Sequence, residues 1–123
     1  MELMGNMRRT HYSTRVSEEM VGQEVVVAGY IAKSRDLGAV IFCDVRDTKG
    51  IIQLNFNDEC PRDAFEKAKL LRTEYVVMAK GVVAHRESPN NNIPTGKIEI
   101  LVKELKMKHE SVISNQIGRS GTS

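Results

Sequence analysis

Apolar and polar residues alternate through much of this chain, with the period of two that belongs to strands. Over residues 40–46, Ile41, Cys43 and Val45 fall on one face and Val40, Phe42, Asp44 and Arg46 on the other. After a DTKG turn at 47–50, Ile52, Leu54 and Phe56 share one face, while Ile51, Gln53 and Asn55 share the opposite one. Packing the uniformly apolar faces inward leaves Phe42 outside among charged groups, with Gln53 on the same surface.

The flanking segments extend this pattern. Residues 24–33, EVVVAGYIAK, are rich in β-branched side chains and predict a first strand, with Gly29 at a bend or bulge. Asp36, Leu37 and Gly38 supply the turn into the second strand. Residues 58–73 change period: Ala64, Phe65, Ala68 and Leu71 fall at helical spacing, and Pro61 suits the first turn. Strand character returns over 75–86, with Gly81 at a second bend. The loop ESPNNNIPT at 87–95 precedes a last strand from Ile98 toward Met107. Upstream, Ser17 is expected to cap a helical turn reaching Met20, ended by Gly22.

Three strands, one helix and two strands predict an all-β fold with one helix, the five-stranded Greek-key OB-fold barrel with its helix between strands 3 and 4. In this reading residues 1–8 are a flexible N-terminal extension, 9–109 the barrel and 110–123 a polar tail or linker. Neither a repeat nor a heptad run is present.

Composition narrows the function. The 123 residues suffice for one core, and 18 basic against 16 acidic residues leave a net charge of only +2. Affinity for nucleic acid must therefore come from local arrangement, and a histone-like bulk field is excluded. Cys43 and Cys60 form no CxxC, and His11, His85 and His109 have no metal-ligand spacing with them. A nucleophile triad, paired catalytic carboxylates and a phosphate-binding glycine loop are all absent from the sequence. With no membrane-length apolar run and no signal-peptide pattern, a soluble, reduced, cytoplasmic setting is expected.

Phe42 lies on the strand where OB-folds carry stacking platforms, and beside it Gln53 offers a donor and an acceptor to a base edge. Arg35 can bond a phosphate or base bidentately, and Lys33 and Arg46 are placed to neutralise phosphates. Glu99 falls on the outer side of its strand, where it either accepts from a base amino group or pairs with Lys97 or Lys103. Asn90 and Asn92 offer further base contacts from their loop, or simply form a surface turn. Arg8, Arg9, His11, Tyr12 and Arg15 make a basic, partly aromatic arm.

RTHY at 9–12, VGQEV at 21–25, RDLGAVIFCDVRDTKGIIQ at 35–53, LRTEYVV at 71–77 and TGKIEI at 95–100 resemble the amino-terminal anticodon-binding domain of bacterial aspartyl-tRNA synthetases. The likeness runs unbroken over residues 7–109. It implies binding of the aspartate tRNA anticodon stem-loop, with Phe42 stacking on the middle uridine, Gln53 and Arg35 contacting the bases, and Glu99 near the first base, a guanine or its modified form. Tyr30 stands where the family usually has Trp, and Ala32, Lys33 and Ser34 replace a more basic run. That family also carries a class II catalytic domain that binds ATP, magnesium and aspartate, and its full enzymes are dimers. No such motifs occur here, so no cofactor is expected in this chain and a catalytic domain in cis is expected if it is a fragment. The competing readings are a stand-alone, sequence-tolerant single-strand binder and a regulatory or interaction relative that has lost RNA binding.

Overall fold

In a computed structural model describing residues 3–4, 7–73 and 75–109, the alternating segments close into a barrel. Its strands are β1 (Glu24–Asp36), β2 (Ile41–Arg46), β3 (Ile51–Phe56), β4 (Tyr75–His85) and β5 (Ile98–His109), and the single helix α1 (Arg62–Ala68) lies between β3 and β4. Around the barrel the order is β1-β2-β3-β5-β4, closing back on β1. All neighbours are antiparallel except β3 and β5, which run parallel.

Burial follows the predicted faces. Ile41, Cys43 and Val45 on β2 and Ile52, Leu54 and Phe56 on β3 are buried in one core with Val25, Val27, Ile98 and Ile100. Removing such side chains from water supplies about 1.5–3 kcal/mol each, the main force that closes the barrel. Within the core the Cys43 thiol donates to the Ser34 hydroxyl at 3.6 Å. Burial pushes its pKa up to about 11, so it is an inert core group at neutral pH.

The helix is shorter than its apolar spacing over 58–73 predicts. Before it, the Asn57 side chain accepts the Glu59 N–H in a tight turn, and Pro61 occupies the cap position. After it, the Leu70 and Leu71 N–H groups reach back only three residues, to the carbonyls of Lys67 and Ala68. Ala64, Ala68 and Leu71 still enter the core, so the periodicity found the buried face but not the ends.

Two glycines allow the barrel to close. A Cβ on Gly29 would overlap the Arg46 carbonyl oxygen, and one on Gly81 would overlap that of Leu101. Gly81 also lies at a register shift between β4 and β5, as expected. On β1, however, the shift lies between Ile31 and Lys33, three residues or so beyond the expected bend, and the strand continues to Asp36. Gly29 thus serves close approach and Ala32 is the extra residue.

The N-terminal boundary also differs from the expectation of a flexible extension over residues 1–8. Met7 is buried with Val26, Ala28 and Met78 on the outside of the barrel, in a two-residue strand (Met7–Arg8) that pairs with Leu3–Met4. An apolar side chain covering the outer face of β1 and β4 makes Met7 part of the folded unit. Thr10 then ties the arm down, its hydroxyl accepting from the Val26 N–H at 2.8 Å. Residues 1–2, 5–6, 74 and 110–123, the expected tail included, lie outside the described residues.

Ser13 fixes the next stretch. It is fully buried, and its N–H and hydroxyl donate to the Asp47 carboxylate at 2.6 and 2.9 Å. The same carboxylate accepts the Lys49 and Gly50 N–H groups of its own turn. Burial alone would raise the Asp47 pKa, but these four donors outweigh it and hold it below the ordinary value. Ser17 makes no side-chain cap bond, and Glu18–Met20 forms one 3-10 turn. Among the described residues no helix is long and apolar enough to cross a membrane, and no cluster of His, Cys, Asp or Glu could hold a metal.

Candidate nucleic-acid interface

The register of the outer barrel face assembles the site. Arg35 on β1 faces Phe42 on β2, which faces Asn55 on β3, and Gln53 on β3 faces Glu99 on β5. Residues paired across strands project to the same side, so these five side chains share one surface although 64 positions separate the first from the last in sequence (99 − 35). They line a cleft of about 580 Å³ together with His85 and Arg86 at the end of β4.

Phe42 is half-buried on the outer face, and the Arg35 guanidinium carbon lies 5.3 Å from its ring centroid. The cation lies over the ring, and both side chains line the cleft, an arrangement that offers a planar group a stacking surface with a positive charge beside it. Gln53 lies on the same face as expected, but deeper: it is only 4% exposed, and Glu99 only 5%. They form the floor of the cleft, where Gln53 Nε2 donates to Glu99 Oε1 at 2.8 Å and Asn55 Nδ2 donates to Glu99 Oε2 at 3.0 Å.

Glu99 is thus engaged by two amides, and among the described residues it makes no ion pair with Lys97 or Lys103. Each carboxylate oxygen keeps a second lone pair for a further donor. The Arg86 Nε is buried without a partner among the described residues, leaving a donor in the cleft wall. A stacking ring above a floor of fixed acceptors can hold an unpaired base by its face and read its edge.

The other predicted residues are not brought to this wall. Lys33 is exposed two residues before Arg35, facing Asp44 across to β2. Arg46 is exposed at the far end of β2, facing Tyr30. Asn90 is occupied in its own loop: its Oδ1 accepts the Asn92 N–H at 2.9 Å, and its N–H bonds the Gly96 carbonyl. In the arm, the Arg9 guanidinium stacks on Tyr12 at 4.1 Å, with Lys49 Nζ at 5.9 Å from the same ring.

Sequence reasoning placed Asn55 on the right face but gave it no role, and it passed over Arg86. Reading the first as significant needs the parallel β3–β5 register, which brings its amide to Glu99, and reading the second needs the β4–β5 register. Neither register is written in local alternation.

A closed barrel of this order, with an aromatic and a polar floor on the face of its second and third strands, defines a nucleic-acid-binding module. The chain belongs to the OB-fold nucleic acid binding domain family, whose tRNA anti-codon pattern matches residues 25–108. It is 51% identical over 105 residues to the aspartate–tRNA ligase of Limosilactobacillus fermentum, covering 85% of this chain and 18% of that protein. It is 44% identical over 112 residues to the aspartate–tRNA(Asp/Asn) ligase of Halothermothrix orenii, covering 89% of this chain and 19% of that one. The chain therefore spans under a fifth of these relatives' length. Among solved structures, asparaginyl-tRNA synthetase from Pyrococcus horikoshii matches with a TM-score of 0.67 at 30% identity, over 80% of this chain and 23% of that one. An OBody bound to hen egg-white lysozyme matches with a TM-score of 0.75 at 28% identity, over 86% of this chain and 98% of that one.

Proposed function

We propose that this barrel recognises the anticodon loop of aspartate tRNA, as the recognition module of an aspartate–tRNA ligase. The observation that carries this is the Phe42 ring, held by Arg35 on the outer face beside the Gln53 and Glu99 floor. The similarity to two such ligases supports it. In this reading Phe42 stacks on the middle uridine, Gln53 and Arg35 contact the bases, and Glu99 accepts from the first base. Lys33 and Arg46 neutralise phosphates, and Asn90 and Asn92 offer their loop to the RNA. Aminoacylation, with its ATP and magnesium, would belong to a catalytic domain outside the barrel, in an enzyme that works as a homodimer.

The test is a titration with the aspartate anticodon stem-loop and with the same hairpin carrying another base in place of the middle uridine. Base readout predicts clear loss of affinity on the swap. Equal binding of both hairpins would instead mark a sequence-tolerant single-strand binder, and no binding of either at low salt an interaction module without RNA.

A further inference from the structure

We infer that Asn55 is a positioning residue for Glu99, and that its amide makes the carboxylate able to discriminate guanine from a purine lacking the 2-amino group. This rests on the anticodon-binding reading, which supplies the base that meets Glu99. Its own grounds are geometric.

A carboxylate on a flexible stem has a broad terminal torsion. The Gln53 bond fixes one oxygen, Oε1, and leaves the plane of the group free to turn about that anchor. The Asn55 bond to Oε2 removes this freedom, because the two donors come from residues two apart on β3, on the same face, with Glu99 opposite on β5. With both oxygens held, the remaining lone pairs present two acceptors side by side. Guanine offers two adjacent donors, the ring N1–H and the 2-amino group, while inosine offers only the first.

The second observation is that Asn55 does this without full satisfaction of its own amide. Its Oδ1 is buried with no hydrogen-bond partner among the described residues. A buried, unpaired carbonyl is unfavourable for stability, so what the Asn contributes here is its donated bond to Glu99 Oε2. The Asn makes sense as a donor to Glu99 at the cleft.

The experiment uses this chain and three variants, Asn55→Leu, Asn55→Ala and Glu99→Gln. Each is titrated with the aspartate anticodon hairpin carrying guanine or inosine at the first anticodon position, and each is melted thermally. The parent is expected to prefer guanine. Asn55→Leu takes a donor from the buried Glu99 carboxylate and should melt somewhat below the parent, bind the inosine hairpin about as the parent does, and lose about 3- to 10-fold of the guanine preference, the weight of one hydrogen bond. Asn55→Ala removes the donor without placing a second carboxylate beside Glu99 and leaves room for water, so it should lose the preference likewise, which covers the case in which the Leu variant fails to fold. Glu99→Gln should also lose it.

A folded Asn55→Leu or Asn55→Ala variant with the parent's guanine preference would overturn the inference while leaving anticodon binding intact. A parent that binds both hairpins equally would overturn it in the same way. A parent that binds neither hairpin would overturn the anticodon reading itself, and this inference with it.

Discussion

Gln53 and Glu99 are joined by a 2.8 Å hydrogen bond across the barrel's one parallel strand pair, with both side chains almost wholly buried on the outer face. The bond is a structural tie as well as part of the cleft floor. Replacing Glu99 by Leu strands the Gln53 and Asn55 amides, and the predicted loss is at least about 1–3 kcal/mol of unfolding free energy in a urea titration. Because the more buried of the two is Gln53, adding Gln53→Leu to the same chain should recover part of it.

Asp47 makes the barrel sensitive to acid. Its folded pKa is depressed, so its stabilising effect is present above the unfolded value near 3.9 and is lost as pH falls through the folded value. Asp47→Asn removes the charge while keeping the shape. At pH 7 the variant should be less stable than the parent by about 1.5–3 kcal/mol, the range for hydrogen bonds to a charged group. The gap should narrow as pH falls below about 4, where the unfolded carboxylate takes up its proton, and go on closing down through the lower folded value. Denaturant midpoints measured from pH 7 to pH 2.5 check this.

RNA affinity should respond weakly to salt. Only a few cations, Arg35 and Arg86 at the cleft and Lys33 and Arg46 exposed beyond it on β1 and β2, are positioned for phosphates, and the chain's net charge is +2. Neutralising about 2 to 4 phosphates gives a log–log slope near −0.7 for each. A titration series in potassium chloride that implied eight or more phosphates would require a second basic surface, such as the Arg9 and Lys49 stack on Tyr12.

The face carrying the site was legible in sequence because strand alternation fixes which side a residue takes. Phe42, Gln53 and Glu99 could be assigned outward from Ile41, Leu54 and Ile100 alone, and those three are fully buried. Depth was not legible. Gln53 reads as a surface amide until the parallel pairing of β3 with β5 sets Glu99 over it. Asp47 likewise reads as an ordinary turn residue, since its partner Ser13 comes from 34 positions away. The strand ends and the helix length depended on local bonds, such as the Asn57 turn, that compete with periodicity. Met7 was misread because the apolar patch it covers, Val26 with Ala28 and Met78, lies on the outside of two strands whose neighbouring positions already fill the core.

The stacking role of Phe42 is the centre of the account. Binding of the aspartate anticodon hairpin by the parent chain and by Phe42→Ala, at one salt concentration, tests it most directly. A half-buried outer ring contributes little to the core, so the variant should fold. A loss of about 1–3 kcal/mol in binding free energy is predicted, the value of stacking one base on an aromatic ring. Equal affinity of a folded Phe42→Ala variant and the parent would contradict it.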